Sequence, residues 1–248
     1  PTGSAPCFGA MEMAELRDAL SALGFDAPAR VSGGGSAGDA AERVPAELAL
    51  DWFSAAEHAL ADPLVGLHAA QRVQPRGALV HLIMSAASLR DALVYVERFS
   101  RILIDALSIT RVTTDRHCTL YFDFDAPVLA ASAHLLDYCL LATSRVLRGA
   151  AGDACRPSAI SLRHGAPARA VETYTAAFGC PVQFGRQDDA LVFDKADLSA
   201  VPAIANPLVA RQMEQLADAL AVRSSIDATC HLRVTAVLRA ELAEGRLR

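Results

Sequence analysis

FGCPVQF, Phe178–Phe184, changes one kind of structure into another within a single short stretch. Phe178 closes a helical pattern, Gly179 permits the turn, and Pro181 bars the helix from continuing. Beyond it, Val182 and Phe184 fall on one face of a strand. A cysteine followed at once by proline invites a redox or haem-ligand reading. At a helix-to-strand joint, however, Cys180 needs only to be small and apolar. On one side of this joint lie a short strand, SAISLRH (Ser158–His164), and the helix Ala168–Phe178. On the other, PVQFG and ALVFD form a pair of short strands around Gly185–Asp189.

Upstream, LSITRVTT (Leu107–Thr114) and CTLYFDFD (Cys118–Asp125) alternate every second residue around Asp115-Arg116-His117, the pattern of a β-hairpin. Phe122 and Phe124 share one face of its second strand, and Tyr121 takes the other. From Pro127 to Arg148 the period is helical, with Leu135, Tyr138, Cys139 and Ala142 as one stripe and Gly149 as the stop. The front of the chain is helical as well. Helices are expected over Met11–Leu23; after Pro45, with Leu48, Trp52, Ala55, Ala56 and Ala59 on one face; after Asp62-Pro63; over Arg76–Ser85; and from Leu89 to about Asp105. The helix from Leu89 opens on Ser88-x-x-Asp91, close to a capping box. From Asn206-Pro207 the chain is helical again, through PLVARQMEQLADALAV and SSIDATCHLRVTAVLRAELAEGRLR. The fold expected is α+β: a helical N-terminal half packed on a small, mainly antiparallel sheet in ββαβαββ order, then C-terminal helices.

Composition narrows the function. Of 248 residues, 52% are hydrophobic, 21% charged and 6% aromatic, enough for a real core in a helix-rich soluble protein. The net charge of −5 excludes the basic footprint of a domain that grips phosphates. No apolar run is long enough for a membrane helix, and PTGSAPCFGAM reads as a processed start without a signal peptide, set aside from the fold. A cytoplasmic location is expected. Cys7, Cys118, Cys139, Cys155, Cys180 and Cys230 form no C-x-x-C pair and accompany no histidine cluster, so free thiols are expected and no metal. ARVSGGGSAGDAAER, with Gly33–Gly35, is a flexible loop; it lacks the P-loop lysine, and no strand precedes it.

Four stretches together resemble the N-terminal effector domain, called arabinose-binding-like, of AraC-type transcriptional regulators. They are ADPLVGLHAA; RGALVHLIMSAASLRDALVYVERFSRIL; RPSAISLRHGAPARAVETYTAAFGCPVQFGRQDDALVFDKADLSAVPAIANP; and the helix that follows. They cover residues 44–222, and FGCPVQF is the clearest signature among them. The resemblance implies a small-molecule effector, homodimerisation, and DNA binding through two helix-turn-helix units that this sequence does not contain. The name of the domain class is no evidence for a sugar, and the Gly-rich insertion is less typical of the family. The implied organisation is an N-terminal helix and loop over 1–43, an effector-sensing α+β domain over 44–205, and a dimer or linker region over 206–248.

A sensor needs a mostly apolar cavity with a few polar groups that orient the ligand. The ligand-binding candidates are His81, Tyr95, Phe122, Phe124, His134, Tyr138 and Arg163. Each also has a plainer reading. His81 can be a core histidine, and His134 with Tyr138 can be ordinary packing at four-residue spacing. Tyr95 and Phe99 can be core, and Arg163 can be solvated rather than a fork for a carboxylate ligand. Leu208, Met213, Leu216 and Leu220 are candidates for a dimer seam or for contact with the DNA-binding region; their alternative is intramolecular packing. An apolar or amphipathic effector is expected, and no cofactor.

Catalysis finds no motif: G-x-S-x-G, H-E-x-x-H and the P-loop are missing, and the single lysine, Lys195, lies in the charged run DKAD. The alternatives are a haem-based gas or redox sensor, or a small enzyme of unidentified type. The helix-then-sheet plan is loosely similar to haem–nitric-oxide-binding domains, with Cys180 or His134 as a ligand, but their Y-x-S-x-R motif is not present.

Overall fold

The computed structural model describes residues 5–28, 43–167 and 170–223. The Gly-rich loop, Cys230 and the helix expected after Val222 fall wholly or almost wholly outside these residues. Contrary to its exclusion from the fold, the N-terminal segment contributes a strand, β1 (Cys7–Gly9). It leads into α1 (Ala10–Ser21) and pairs antiparallel with β2 (Arg43–Pro45), with Phe8 opposite Val44. Phe8 is fully buried.

Next come α2 (Glu47–Leu60), α3 (Val65–Arg72), α4 (Ala78–Met84) and α5 (Leu89–Leu103). In α2 the buried stripe is Ala49, Trp52, Phe53 and Ala56, whereas Ala55 and Ala59 are exposed. The large Trp52 and Phe53 set which face turns inward, because an exposed alanine forfeits little burial energy. The cap expected on α5 is present: the Ser88 hydroxyl accepts from the Asp91 N–H (3.2 Å) and donates to its carboxylate (2.7 Å).

The hairpin follows as β3 (Leu107–Thr113) and β4 (His117–Phe124), with Ile109 opposite Phe122 and Leu107 opposite Phe124. The helix expected as one piece from Pro127 is two, α6 (Pro127–Ala130) and α7 (Ala133–Ala151). Ser132 breaks them by capping the second, accepting from the Leu135 N–H at 3.2 Å. Gly66 of α3 lies against α7 so closely that a Cβ there would sit 2.2 Å from the His134 carbonyl oxygen. Only glycine permits this crossing.

Then come β5 (Ala159–Ser161), α8 (Val171–Phe178), β6 (Val182–Gln183), β7 (Asp189–Asp194) and α9 (Pro207–Arg223). The main sheet runs β3-β4-β7-β5-β6, antiparallel except for β5–β6. The order of elements is the ββαβαββ expected, in an α+β fold. PVQFG and ALVFD do not pair with each other. The α8 crossover makes β6 parallel to β5, and β7 then returns between β4 and β5. Leu120, Leu191 and Ile160 lie in one row across three strands, all fully buried.

At FGCPVQF the joint forms as read at Phe178, Gly179, Cys180 and Pro181, although the strand is shorter than expected and Phe184 lies just past its end. Gly179 adopts a left-handed C-cap (φ 72°), its N–H donating to the Thr175 carbonyl at 2.8 Å. Phe178 is fully buried, and the Pro181 carbonyl accepts from the Ile160 N–H at 3.0 Å, starting the parallel pair. Burial pushes the Cys180 thiol up to about 11, so at neutral pH it is a protonated core group rather than a thiolate.

Candidate functional site

The apolar stripe of α1 buries Met13, Leu16, Ala19 and Leu20, yet Glu15, on the same side, is only 6% exposed. Glu12 lies one turn earlier and folds back over Gly9, where a Cβ would come within 1.9 Å of its Oε2. The two carboxylates share a wall of a cavity of about 90 Å³ enclosed by β1, α1, α4, α5, β3 and α7. Most of the lining is aliphatic, including Leu79, Ile83, Val96, Leu107 and Ile109. Pro75 and the largely exposed Arg76 mark its solvent side.

The polar groups in this wall are only partly satisfied. Glu15 accepts the Arg76 backbone N–H at 2.6 Å, with the Arg76 guanidinium farther off at 3.9 Å. Burial raises the Glu15 carboxyl to about 7, opposed by that N–H and reinforced by the charge of Glu12. Burial likewise raises Glu12 to about 7, against its own backbone N–H and the charge of Arg43. Facing them on α7, Tyr138 is 8% exposed and packs its ring 5.9 Å from Phe53. Its hydroxyl has no hydrogen-bond partner among the described residues. Burial, then the charge of Glu15, holds its ionisation well above the ordinary range.

A second polar cluster lies at the other end of the sheet. Asp137, 1% exposed, accepts from the Tyr174 hydroxyl at 2.5 Å and pairs with His164 Nε2 at 3.1 Å. Phe184, from FGCPVQF, packs edge-on against both rings, 5.0 Å from Tyr174 and 5.7 Å from His164. Burial pulls the His164 imidazole down, but its hydrogen bond to Asp137 and that carboxylate's charge outweigh burial, and its basicity rises.

Of the sequence candidates, the structure brings Tyr138 to the cavity wall. Phe122 and Phe124 stand one strand away on the same sheet face, paired across the hairpin with the lining residues Ile109 and Leu107. His81 is exposed on the outer side of α4. Tyr95 is half-buried; burial and then the charge of Glu214 in α9 raise its ionisation. His134 pairs with Glu57 across α2 and α7 at 3.1 Å, and Arg163 pairs with the buried Asp189. On α9, Leu208 is 66% and Leu216 46% exposed, while Met213 and Leu220 pack on the core. Glu12 and Glu15 are absent from the candidates. Their signal was positional, two acids sharing the apolar side of MEMAELRDAL.

Fold and cavity together define a class: an α+β domain that encloses a small apolar chamber with a few unsatisfied polar groups. Residues 35–201 match the arabinose-binding domain of AraC transcription regulators, N-terminal, and the chain belongs to this family. The crystal structure of the transcriptional regulator CdpR from Pseudomonas aeruginosa has a similar fold, with TM-score 0.63 and 17% identity over 93% of this chain and 70% of that one. No curated protein sequence matches significantly. Among the described residues no helix is long and apolar enough to cross a membrane.

Proposed function

We propose that this chain is the effector-sensing and dimerisation portion of a cytoplasmic AraC-type regulator. The observation that carries the reading is the α1–α4–α5–α7 cavity, in a member of a regulator family. The sensing unit spans 44–205, the segment 1–43 adds the two carboxylates, and 206–248 forms the dimer or linker region. DNA binding belongs to helix-turn-helix units outside these residues. An aliphatic lining suits an apolar or amphipathic effector better than a sugar, whose hydroxyls would lose water without gaining partners.

The route outward is short. The cavity walls α4 and α5 both carry α9, which buries Ala210 and Ala217. Arg98 of α5 ties α9 down through Glu214 (2.5 Å) and Asp218 (2.6 Å). An effector that binds one arrangement of α4 and α5 more tightly shifts the population of α9 positions, and with it the spacing of the attached DNA readers. Leu208 and Leu216, the outward-facing leucines of α9, are the proposed dimer seam.

Gel shift combined with light scattering tests this. The 248-residue chain is expected to be a dimer that leaves promoter DNA unshifted, and the chain extended through its helix-turn-helix region is expected to shift it. The Leu208→Ser/Leu216→Ser variant is expected to be monomeric. Sequence-specific binding by the 248-residue chain would overturn the regulatory assignment, and an unchanged mass in the double variant would remove the seam.

A further inference from the structure

We propose that the cavity takes a small apolar monoamine, its ammonium held by Glu15, Glu12 and the Tyr138 hydroxyl and its body packed on Leu79, Ile83 and Ile109. The proposal rests on reading the cavity as the effector site and names the chemistry that site selects.

Three observations converge. First, two carboxylates line a chamber whose remaining wall is largely aliphatic, and a buried carboxylate costs several kcal/mol unless a cation or several donors meet it. Second, the protein's own cations are turned away. Arg76 keeps 3.9 Å from Glu15, has a side chain 62% exposed, and also reaches Asp18 at 3.5 Å. Arg43 spends its guanidinium on the carbonyls of Ile102 (2.6 Å) and Cys7 (2.9 Å) and on Asp105 (3.4 Å). Among the described residues Glu12 has no ion pair. Third, Tyr138 is more than nine-tenths buried in the same wall, with a hydroxyl that nothing described engages.

An ammonium supplies what is missing: three donors on one charge, shared between two carboxylates and a phenol oxygen. A carboxylate ligand would instead add a third negative charge beside two others. A neutral alcohol has one donor and leaves the charge unpaired. At about 90 Å³ the chamber holds on the order of three water volumes, so the fitting body is short.

The test is a thermal-shift series on the 248-residue chain at pH 7.5 and constant ionic strength, with n-propylamine, n-propanol and propanoate as three-carbon probes matched to the chamber. At tenfold its Kd, propylamine is expected to raise Tm by roughly 3–6 °C, propanol by less, and propanoate by nothing. Glu15→Gln and Glu12→Gln are each expected to abolish the amine shift; in Glu15→Gln the side-chain amide oxygen still accepts the Arg76 N–H, so that variant folds. Tyr138→Phe is expected to weaken propylamine about tenfold. A propanoate shift equal to the amine's overturns the amine class while leaving the cavity as an effector site. An amine shift that survives both glutamine variants places the amine elsewhere and also overturns it. If no probe shifts Tm, and ethylamine and n-butylamine do not either, the effector-cavity reading falls and the amine falls with it.

Discussion

Asp137 and Tyr138 are neighbours on α7 and face two different buried regions. Asp137 is saturated: a tyrosine hydroxyl and a histidine both meet its carboxylate, and Phe184 shields the pair. Tyr138 opens on a chamber that it shares with two carboxylates raised to about 7 by burial. Both regions are buried and polar, and they differ in how far their polar groups are met within the fold. A group that holds the fold together finds its partners within the fold, because an unmet buried polar atom costs stability. A group kept for a ligand carries that cost until the ligand arrives.

The comparison breaks most visibly at Asp137. Asp137→Ala strands the Tyr174 hydroxyl and His164, and urea unfolding at pH 6 is expected to show a loss of about 3–5 kcal/mol. A loss below about 1 kcal/mol would mean that the cluster does not lock α7 to α8. The next effect has the opposite sign. Folding prefers the protonated form of Glu15, whose carboxyl stands near 7 instead of 4.5. Its contribution to stability is fully present below about pH 4.5 and is lost as pH rises through 7. Glu15→Gln removes that loss and is expected to gain on the order of 2–3 kcal/mol at pH 8, with no gain at pH 4. The His164–Asp137 pair also favours the protonated form, but its contribution is lost only as pH rises above about 6.5. Denaturation midpoints across pH 4–9 therefore separate the regions: Glu15→Gln removes the Glu15 share of the slope in the lower window, where Glu12 still titrates near 7, and leaves the upper window unchanged. A uniform shift at every pH would show that Glu15 is not the group titrating.

How much of this was legible follows from range. The hairpin and the FGCPVQF joint could be read because period-two alternation, Gly179 and Pro181 act locally. The insertion of β7 between β4 and β5, and the pairing of Cys7–Gly9 with Arg43–Pro45, depend on partners far along the chain, where local pattern carries no register. The site was legible at one residue. Tyr138 showed itself as a polar group in the stripe Leu135, Tyr138, Cys139, Ala142. Glu12 and Glu15 sit in the first half of α1, where an acid reads as a favourable partner for the helix dipole. Only the packed structure shows that α4, α5 and α7 close over them. His81 and Arg163 had the right chemistry, but side-chain direction and the nearby Asp189 send one outward and give the other a partner within the fold.

The smallest expected effect carries the comparison furthest, because it uses one chemical change at two buried tyrosines. Tyr174→Phe removes a hydroxyl that donates to a buried carboxylate and is expected to cost about 1.5–3 kcal/mol. Tyr138→Phe removes a hydroxyl with no described partner, and urea unfolding is expected to show no loss and a gain of up to about 1 kcal/mol. Tyr138 is the more instructive position, since a residue chosen for stability alone would have lost this oxygen to phenylalanine at no cost. If Tyr138→Phe costs as much as Tyr174→Phe, the hydroxyl already has a partner inside the fold, and the chamber is a satisfied core rather than a site waiting for a ligand.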